Sequence, residues 1–360
     1  MKRKKSVLTI LISVSLTIII MSGIKTSTAK ADEGVQWIYP NYGKTEFKTG
    51  DGITTMYLIG GSPVPPKDYD DISYDTNFSD EPIVLLEKFP SYSWVYGCGA
   101  VSGSMVAAWY DRNGYPNIYT GSVGNGVAPI TDNDWSGSWV DRTGRRYPNN
   151  PIVASRQNYD NRNERGTIDN YWLEYLSDEE DPFIQNNWIE HQPETVGDYM
   201  KTSQSNHMNK DGMTAIFMKT HPDRPRRYCT DLENDPYYYR DGLVGLKNFF
   251  ESKGYQIKDC FNQSTYEGGF TLEEYKELIN NGNPVIISVV GHIMVGYGYQ
   301  GNTIFIRDTW QSNPDIIKTM EWGGNYLDMQ MLGVSVITLV EQTEEYYLFY
   351  PLMIIKTDTP

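Results

Sequence analysis

An α+β fold is predicted by two observations: the clearest amphipathic helical stretches come first, and strand-like segments then follow one another through short turns, as antiparallel neighbours do. From Gly242 to Lys253, Leu243, Leu246, Phe249 and Phe250 fall on one helical face, and Gly254 stops the helix. Thr271 opens a second helix with Glu274 placed to complete a capping box; Leu272, Tyr275, Leu278 and Ile279 form its apolar face and Gly282 ends it. Pro284 to Val290, Ile293 to Tyr299 and Thr303 to Arg307 read as strands, the last two joined by Gln300-Gly301-Asn302 as a three-residue turn. Leu332 to Val340 and Tyr346 to Ile355 are further β-rich segments.

A third helix lies upstream, from Cys98 for about three turns to the stop Asp111-Arg112-Asn113-Gly114-Tyr115-Pro116. Its start, Tyr96-Gly97-Cys98-Gly99-Ala100, sets a thiol where helix N–H groups and the helix dipole favour thiolate. Gly97 and Gly99 are read as leaving room for a substrate backbone beside the sulfur. A buried cysteine starting a core helix is the other reading of the same residues. Pro82 to Phe89 reads as a strand leading to this helix. Residues 32–85 read as a polar, turn-rich N-terminal extension that pairs with or lies over the domain, with Thr54 to Ile59 as an edge strand. The stretch after Pro116 is rich in Gly, Asn, Asp, Trp and Tyr and is expected to hold short helices, for example Glu194 to Thr202.

The protein opens with Met1-Lys2-Arg3-Lys4-Lys5, an apolar run from Val7 to Met21, and Ala29-Lys30-Ala31, the layout of a secretory signal peptide cleaved after Ala31. An uncleaved anchor is the alternative. Cleavage removes six basic residues (Lys2, Arg3, Lys4, Lys5, Lys25, Lys30) and no acidic one, taking the formal net charge from −15 to −21. So acidic a protein is a poor partner for nucleic acid or an anionic membrane, and suits a soluble product that is secreted or held at the cell envelope. Three cysteines leave at least one thiol unpaired; the simplest partition is a Cys229–Cys260 disulfide with Cys98 free, which the sequence does not establish, and all three reduced is an alternative.

A thiol nucleophile needs a base, and the base needs a group to fix its tautomer. Of four histidines, His292 stands inside a strand pattern, Gly291-His292-Ile293-Met294-Val295-Gly296. A turn that pairs Tyr299 with Thr303 puts Met294 opposite Asp308 and His292 opposite Trp310, so that His292 and Asp308 are diagonal neighbours on one face. A slip of one residue would separate them.

Gly97-Cys98-Gly99-Ala100-Val101-Ser102-Gly103-Ser104-Met105, Gly291-His292-Ile293-Met294-Val295-Gly296-Tyr297 and Ile304-Phe305-Ile306-Arg307-Asp308 resemble the double-glycine-leader (bacteriocin-processing) cysteine peptidase-like family of the papain-like superfamily. Trp94-Val95-Tyr96, Tyr110 to Tyr115, Asp308-Thr309-Trp310 and Trp322-Gly323-Gly324 look like a secreted bacterial subgroup of it. The likeness runs from about Phe89 to Leu339. It implies a papain-like fold with the catalytic helix packed on an antiparallel sheet, a domain at 86–342 carrying a long insertion at about 121–239, and a C-terminal strand or tail at 343–360. It implies Cys98 as nucleophile, His292 as general base and acid, Asp308 as the group orienting His292, and Trp310 as a shield over that contact. It implies no cofactor and a peptide or protein substrate. The Gln that many papain-like enzymes place before the Cys as oxyanion donor has no counterpart in Ser91-Tyr92-Ser93-Trp94-Val95-Tyr96-Gly97; the backbone N–H of Cys98 is one candidate donor, with Ser93, Tyr92 or Tyr96 as second.

The leading expectation is therefore a secreted thiol-dependent hydrolase, a peptidase or amidase with a Cys-His-Asp triad. The alternative is a non-catalytic exported binding protein on a degraded cysteine-peptidase fold. A metal hydrolase built on His191, His207 and His221 with Asp198 or Asp211 finds no strong ligand spacing, and no metal is expected.

Overall fold

The structure is a computed structural model that describes residues 81–95, 97–140, 146–154, 192–204, 212–219, 226–236, 238–266 and 268–342, the strand backbone at 43–49 and 52–60, and positions 65, 69, 144, 207 and 209. The expected signal peptide and the segment from Tyr346 to Ile355 lie outside these residues. In sequence order the elements are β1 (Gly43–Thr49), β2 (Gly52–Gly60), β3 (Val84–Leu85), α1 (Cys98–Arg112), β4 (Ser138–Val140), β5 (Arg146–Pro148), α2 (Val196–Tyr199), β6 (Met213–Lys219), β7 (Arg226–Tyr228) and α3 (Cys229–Glu233). They continue with α4 (Gly242–Ser252), β8 (Ile257–Ser264), α5 (Leu272–Asn280), β9 (Val285–Val289), β10 (His292–Gln300), β11 (Thr303–Arg307), β12 (Lys318–Glu321), β13 (Asn325–Tyr326) and β14 (Met329–Leu339). Helix and antiparallel sheet together make the α+β class.

The main sheet runs β12-β11-β10-β9-β14-β8-β7, with β13 on β14 and β3 on β10. Its centre is apolar on both faces: all five residues of β9, Val-Ile-Ile-Ser-Val, are buried, as a strand covered on both sides must be. One cover is α1. Every residue from Cys98 to Asp111 is buried, and a helix buried all round needs small residues where neighbours press in. At Gly103 a Cβ would lie 2.6 Å from Met200 Sδ and 2.9 Å from Val196, so the glycine is what lets α2 approach.

The capping box at Thr271 and Glu274 is present as expected, and α2 has one at Thr195 and Asp198 within the span where a short helix is expected. Asp241 caps α4 by accepting from Leu243 N and Val244 N. Two expectations fail. The β2 strand is not an edge: it lies between β1 and β6 in a separate three-stranded sheet. The stretch from Pro82 to Phe89 is strand only at Val84 and Leu85, with one further bond from Leu86 N–H to Tyr297 O at 2.8 Å, because Pro82 and Pro90 interrupt a ladder on either side.

Cys229 and Cys260 form a disulfide, leaving Cys98 as the free thiol. Among the described residues no helix is long and apolar enough to cross a membrane.

Candidate active site

The β10–β11 hairpin decides whether His292 and Asp308 meet. Its turn is Gly301-Asn302, two residues rather than three, because Gln300 pairs with Thr303. That alone would move Asp308 to the wrong side. A bulge at Tyr297, between the pairs Gly298–Phe305 and Gly296–Ile306, takes the extra residue back, so that Val295 faces Arg307. One further step in that register sets Asp308 opposite Met294, as the longer turn would have done. The rings of His292 and Trp310 accordingly stack, with centroids 4.2 Å apart and planes 10° from parallel.

Asp308 reaches His292 through its backbone. His292 Nε2 lies 2.7 Å from the main-chain carbonyl oxygen of Asp308, which accepts only, so Nε2 carries the proton. The carboxylate turns away: Oδ2 accepts from the Tyr326 hydroxyl at 2.6 Å, Oδ1 from the Trp310 N–H at 3.2 Å, and the Tyr69 hydroxyl adds a bond. The sequence expectation of a carboxylate holding the imidazole is corrected to this extent. A strained residue makes the turn: Thr309 has φ 64°, a left-handed conformation that a β-branched side chain rarely adopts. Such a residue costs on the order of 1–3 kcal/mol, and here it sits between the carbonyl that holds His292 and the ring that covers it.

The imidazole is fully buried, and burial pushes its pKa down to about 4, partly opposed by the bond to Asp308. It is therefore neutral, with Nε2–H fixed and Nδ1 left as a lone pair. Nδ1 is buried with no hydrogen-bond partner among the described residues. Cys98 stands at the first position of α1, which packs on β10, and its sulfur is bonded by the backbone at Ile293, the residue after His292, and at Gly99 and Cys98 itself. Burial outweighs those bonds and pushes the thiol up to about 12. The helix-start argument for a lowered pKa thus loses, in this closed arrangement, to desolvation. What results is a neutral thiol, held by the backbone of the residue that follows a neutral base.

Gly97 and Gly99 make room for protein rather than substrate. A Cβ at Gly97 would lie 2.4 Å from Gly212 O and from Thr202 Cγ2, and one at Gly99 would lie 2.3 Å from Thr214 Oγ1. Thr202 and Thr214 share a hydrogen bond of 2.8 Å over this end of α1.

Of the oxyanion candidates, the Tyr92 hydroxyl donates to Pro129 O at 2.6 Å, and Ser93 gives both its N–H and its hydroxyl to Asp132. Both are engaged away from the thiol. Tyr96 lies outside the described residues, and the Cys98 N–H remains at the helix start, which no side chain caps. Asp132, Tyr326 and Tyr69 are not visible as site residues in the sequence; each is brought in by a loop or a short strand with no motif of its own. Of the metal-ligand candidates, His191, His221 and Asp211 lie outside the described residues, and the His207 ring packs on Tyr239.

Cys98 thus starts a helix packed on the antiparallel sheet and is bonded by the backbone of the residue that follows a buried histidine with a fixed tautomer. The chain matches the Peptidase_C39 like family over residues 85–330 and belongs to it. That membership makes it a cysteine peptidase-like protein, and peptides or proteins the implied substrates. No curated protein and no solved structure matches it.

Proposed function

We propose that the protein is an extracytoplasmic thiol hydrolase acting on peptide or amide bonds, with Cys98, His292 and Asp308 in a papain-like arrangement. The observation that carries the proposal is the neutral imidazole with Nε2–H held by a carbonyl and Nδ1 without a partner among the described residues, one residue from the backbone that bonds Cys98. In the reaction, Nδ1 takes the thiol proton as sulfur attacks the carbonyl carbon, then gives it to the leaving amine; water, deprotonated by the same nitrogen, attacks the thioester and releases acid and thiol. Asp308 fixes the imidazole, Trp310 shields that contact, and the Cys98 N–H stabilises the oxyanion. No cofactor enters these steps.

The basic head, apolar run and small-residue site ahead of Asp32 support export, and the mature net charge of −21 supports a soluble product. We place the domain at 86–342 with its insertion at about 121–239, after an extension at 32–85.

The test is alkylation of Cys98 by iodoacetamide, mapped by peptide, in wild type and His292→Ala. Labelling at pH 7 that falls at least tenfold in the variant supports a thiol activated by His292. Equal labelling in both proteins, rising only above about pH 8.5, would leave an ordinary thiol and favour the binding-protein alternative.

A further inference from the structure

The mechanism leaves unused a cleft of about 510 Å³ lined in part by Trp310, whose ring stacks on His292. Ser93 and Trp94, a few residues before Cys98, form one wall, and Trp135 and Tyr147 line it too. It therefore adjoins both the nucleophile's approach segment and the shield of the base.

Its chemistry is uneven in an informative way. The Trp94, Trp135 and Tyr147 side chains are almost wholly buried, so each shows the cleft no more than an edge, and Trp94 and Tyr147 are held together with centroids 5.7 Å apart. Among the described residues, two that line it carry charge. Asp132 is buried, and both its oxygens are occupied, one by Ser93 N–H and the other by the Asn150 amide at 2.7 Å. Arg146 is exposed at the rim, and its Nη1 donates to Ser138 Oγ. Among the described residues the cleft thus offers aromatic edges for an apolar ring and the Arg146 guanidinium for an anion, while the Asp132 carboxylate is closed off. A guanidinium on a rim pairs with carboxylates through its planar fork of donors.

We propose that this cleft is the substrate-recognition subsite, and that it takes an aromatic side chain of a peptide together with a carboxylate next to it. The carboxylate belongs either to a neighbouring Asp or Glu or to the free C-terminus of the peptide. The assignment of peptide as ligand rests on the hydrolase reading above, whereas the aromatic-plus-acid preference rests on the cleft alone.

The experiment uses the full-length mature protein with Cys98→Ala, so that bound peptides persist, and reads peptide affinity by fluorescence anisotropy. The probes are labelled Gly-Tyr-Glu-Gly amide, the same peptide with Gln for Glu, with Ala for Tyr and with Lys for Glu, and Gly-Gly-Tyr as free acid. The Glu peptide is expected to bind at least tenfold more tightly than the Gln and Ala peptides. Arg146→Glu, an exposed change, is expected to erase the preference for Glu and transfer it to the Lys peptide. Binding of Gly-Gly-Tyr acid without the Glu peptide assigns the carboxylate to a terminus; the reverse assigns it to a side chain. Affinity that is the same for all peptides, or unmoved by Arg146→Glu, overturns the subsite. The alkylation test can fail while this one succeeds, which would leave a peptide-binding protein; hydrolysis without the Arg146 effect would remove the subsite and keep the enzyme.

Discussion

His292 Nε2 is held by the backbone carbonyl of Asp308 at 2.7 Å while the Asp308 carboxylate bonds Tyr326 at 2.6 Å. The side chain thus serves the turn, and the turn serves the imidazole. Asp308→Asn keeps an acceptor for the Trp310 N–H and leaves the carbonyl in place, so Cys98 alkylation at pH 7 should stay within about fivefold of wild type. A site in which the carboxylate itself holds the imidazole loses on the order of 10⁴ on this change, as the serine-protease triad shows. Asp308→Ala releases Trp310 and Tyr326 together and should cost about 1–3 kcal/mol in denaturant unfolding, with a larger loss of labelling.

Burial of His292 predicts its titration directly. With a folded pKa near 4 against 6.5 for the free side chain, the folded protein refuses a proton that the unfolded state accepts between those values. Its contribution to stability is present above about pH 6.5 and is lost as pH falls toward 4. Asp132 and Asp241, pushed up by burial to about 7 and about 6, oppose it: their contributions are present at low pH and fade as pH rises. Overall unfolding would blur these effects. NMR of the imidazole protons separates them, and the His292 resonance should stay in its neutral position down to about pH 5. A midpoint near 6.5 would mean that the imidazole is open to water.

Gly99 offers a steric test. A methyl group there meets Thr214 Oγ1 at 2.3 Å and Thr214 Cβ at 2.7 Å, and neither can retreat as the end of a flexible side chain would. Gly99→Ala should therefore destabilise by about 1–3 kcal/mol in denaturant melts, the usual cost of overpacking a dense core. An unchanged midpoint would show that β6 does not press on α1.

How much of this is legible in the sequence follows from where the information is stored. Periodicity and caps are local, so the helices at Gly242 and Thr271 and the strands from Val285 to Arg307 are readable within a residue or two. The meeting of His292 with Asp308 follows in the sequence from a three-residue turn, and it holds because a two-residue turn and a bulge at Tyr297 offset one another. Nothing local distinguishes those routes. The glycines around Cys98 read as substrate access because the sequence shows that they are small but not what lies against them. The carbonyl in place of the carboxylate depends on Thr309 taking a left-handed φ and on Tyr326, which β13 carries in from a hairpin further on. Burial, which sets the pKa of both Cys98 and His292, is a property of the whole fold.

The Cys229–Cys260 bridge extends a ladder. The β7–β8 register runs Arg226–Gln263, Arg227–Asn262, Tyr228–Phe261, and the next pair in that series is the disulfide. The crosslink therefore pins the last strand of the main sheet and the start of α3, on which α4 packs. Closing a loop with a sequence separation of 31 residues stabilises by about 3–4 kcal/mol in the entropic account of loop closure. Cys260→Ser should lower the melting temperature by on the order of 10 °C in a protein of this size. Because the bridge lies on the far side of the sheet path from β10, Cys98 labelling below the transition should be unchanged. A loss of labelling at temperatures where the variant remains folded would mean instead that the β7 edge and the nucleophile are mechanically linked.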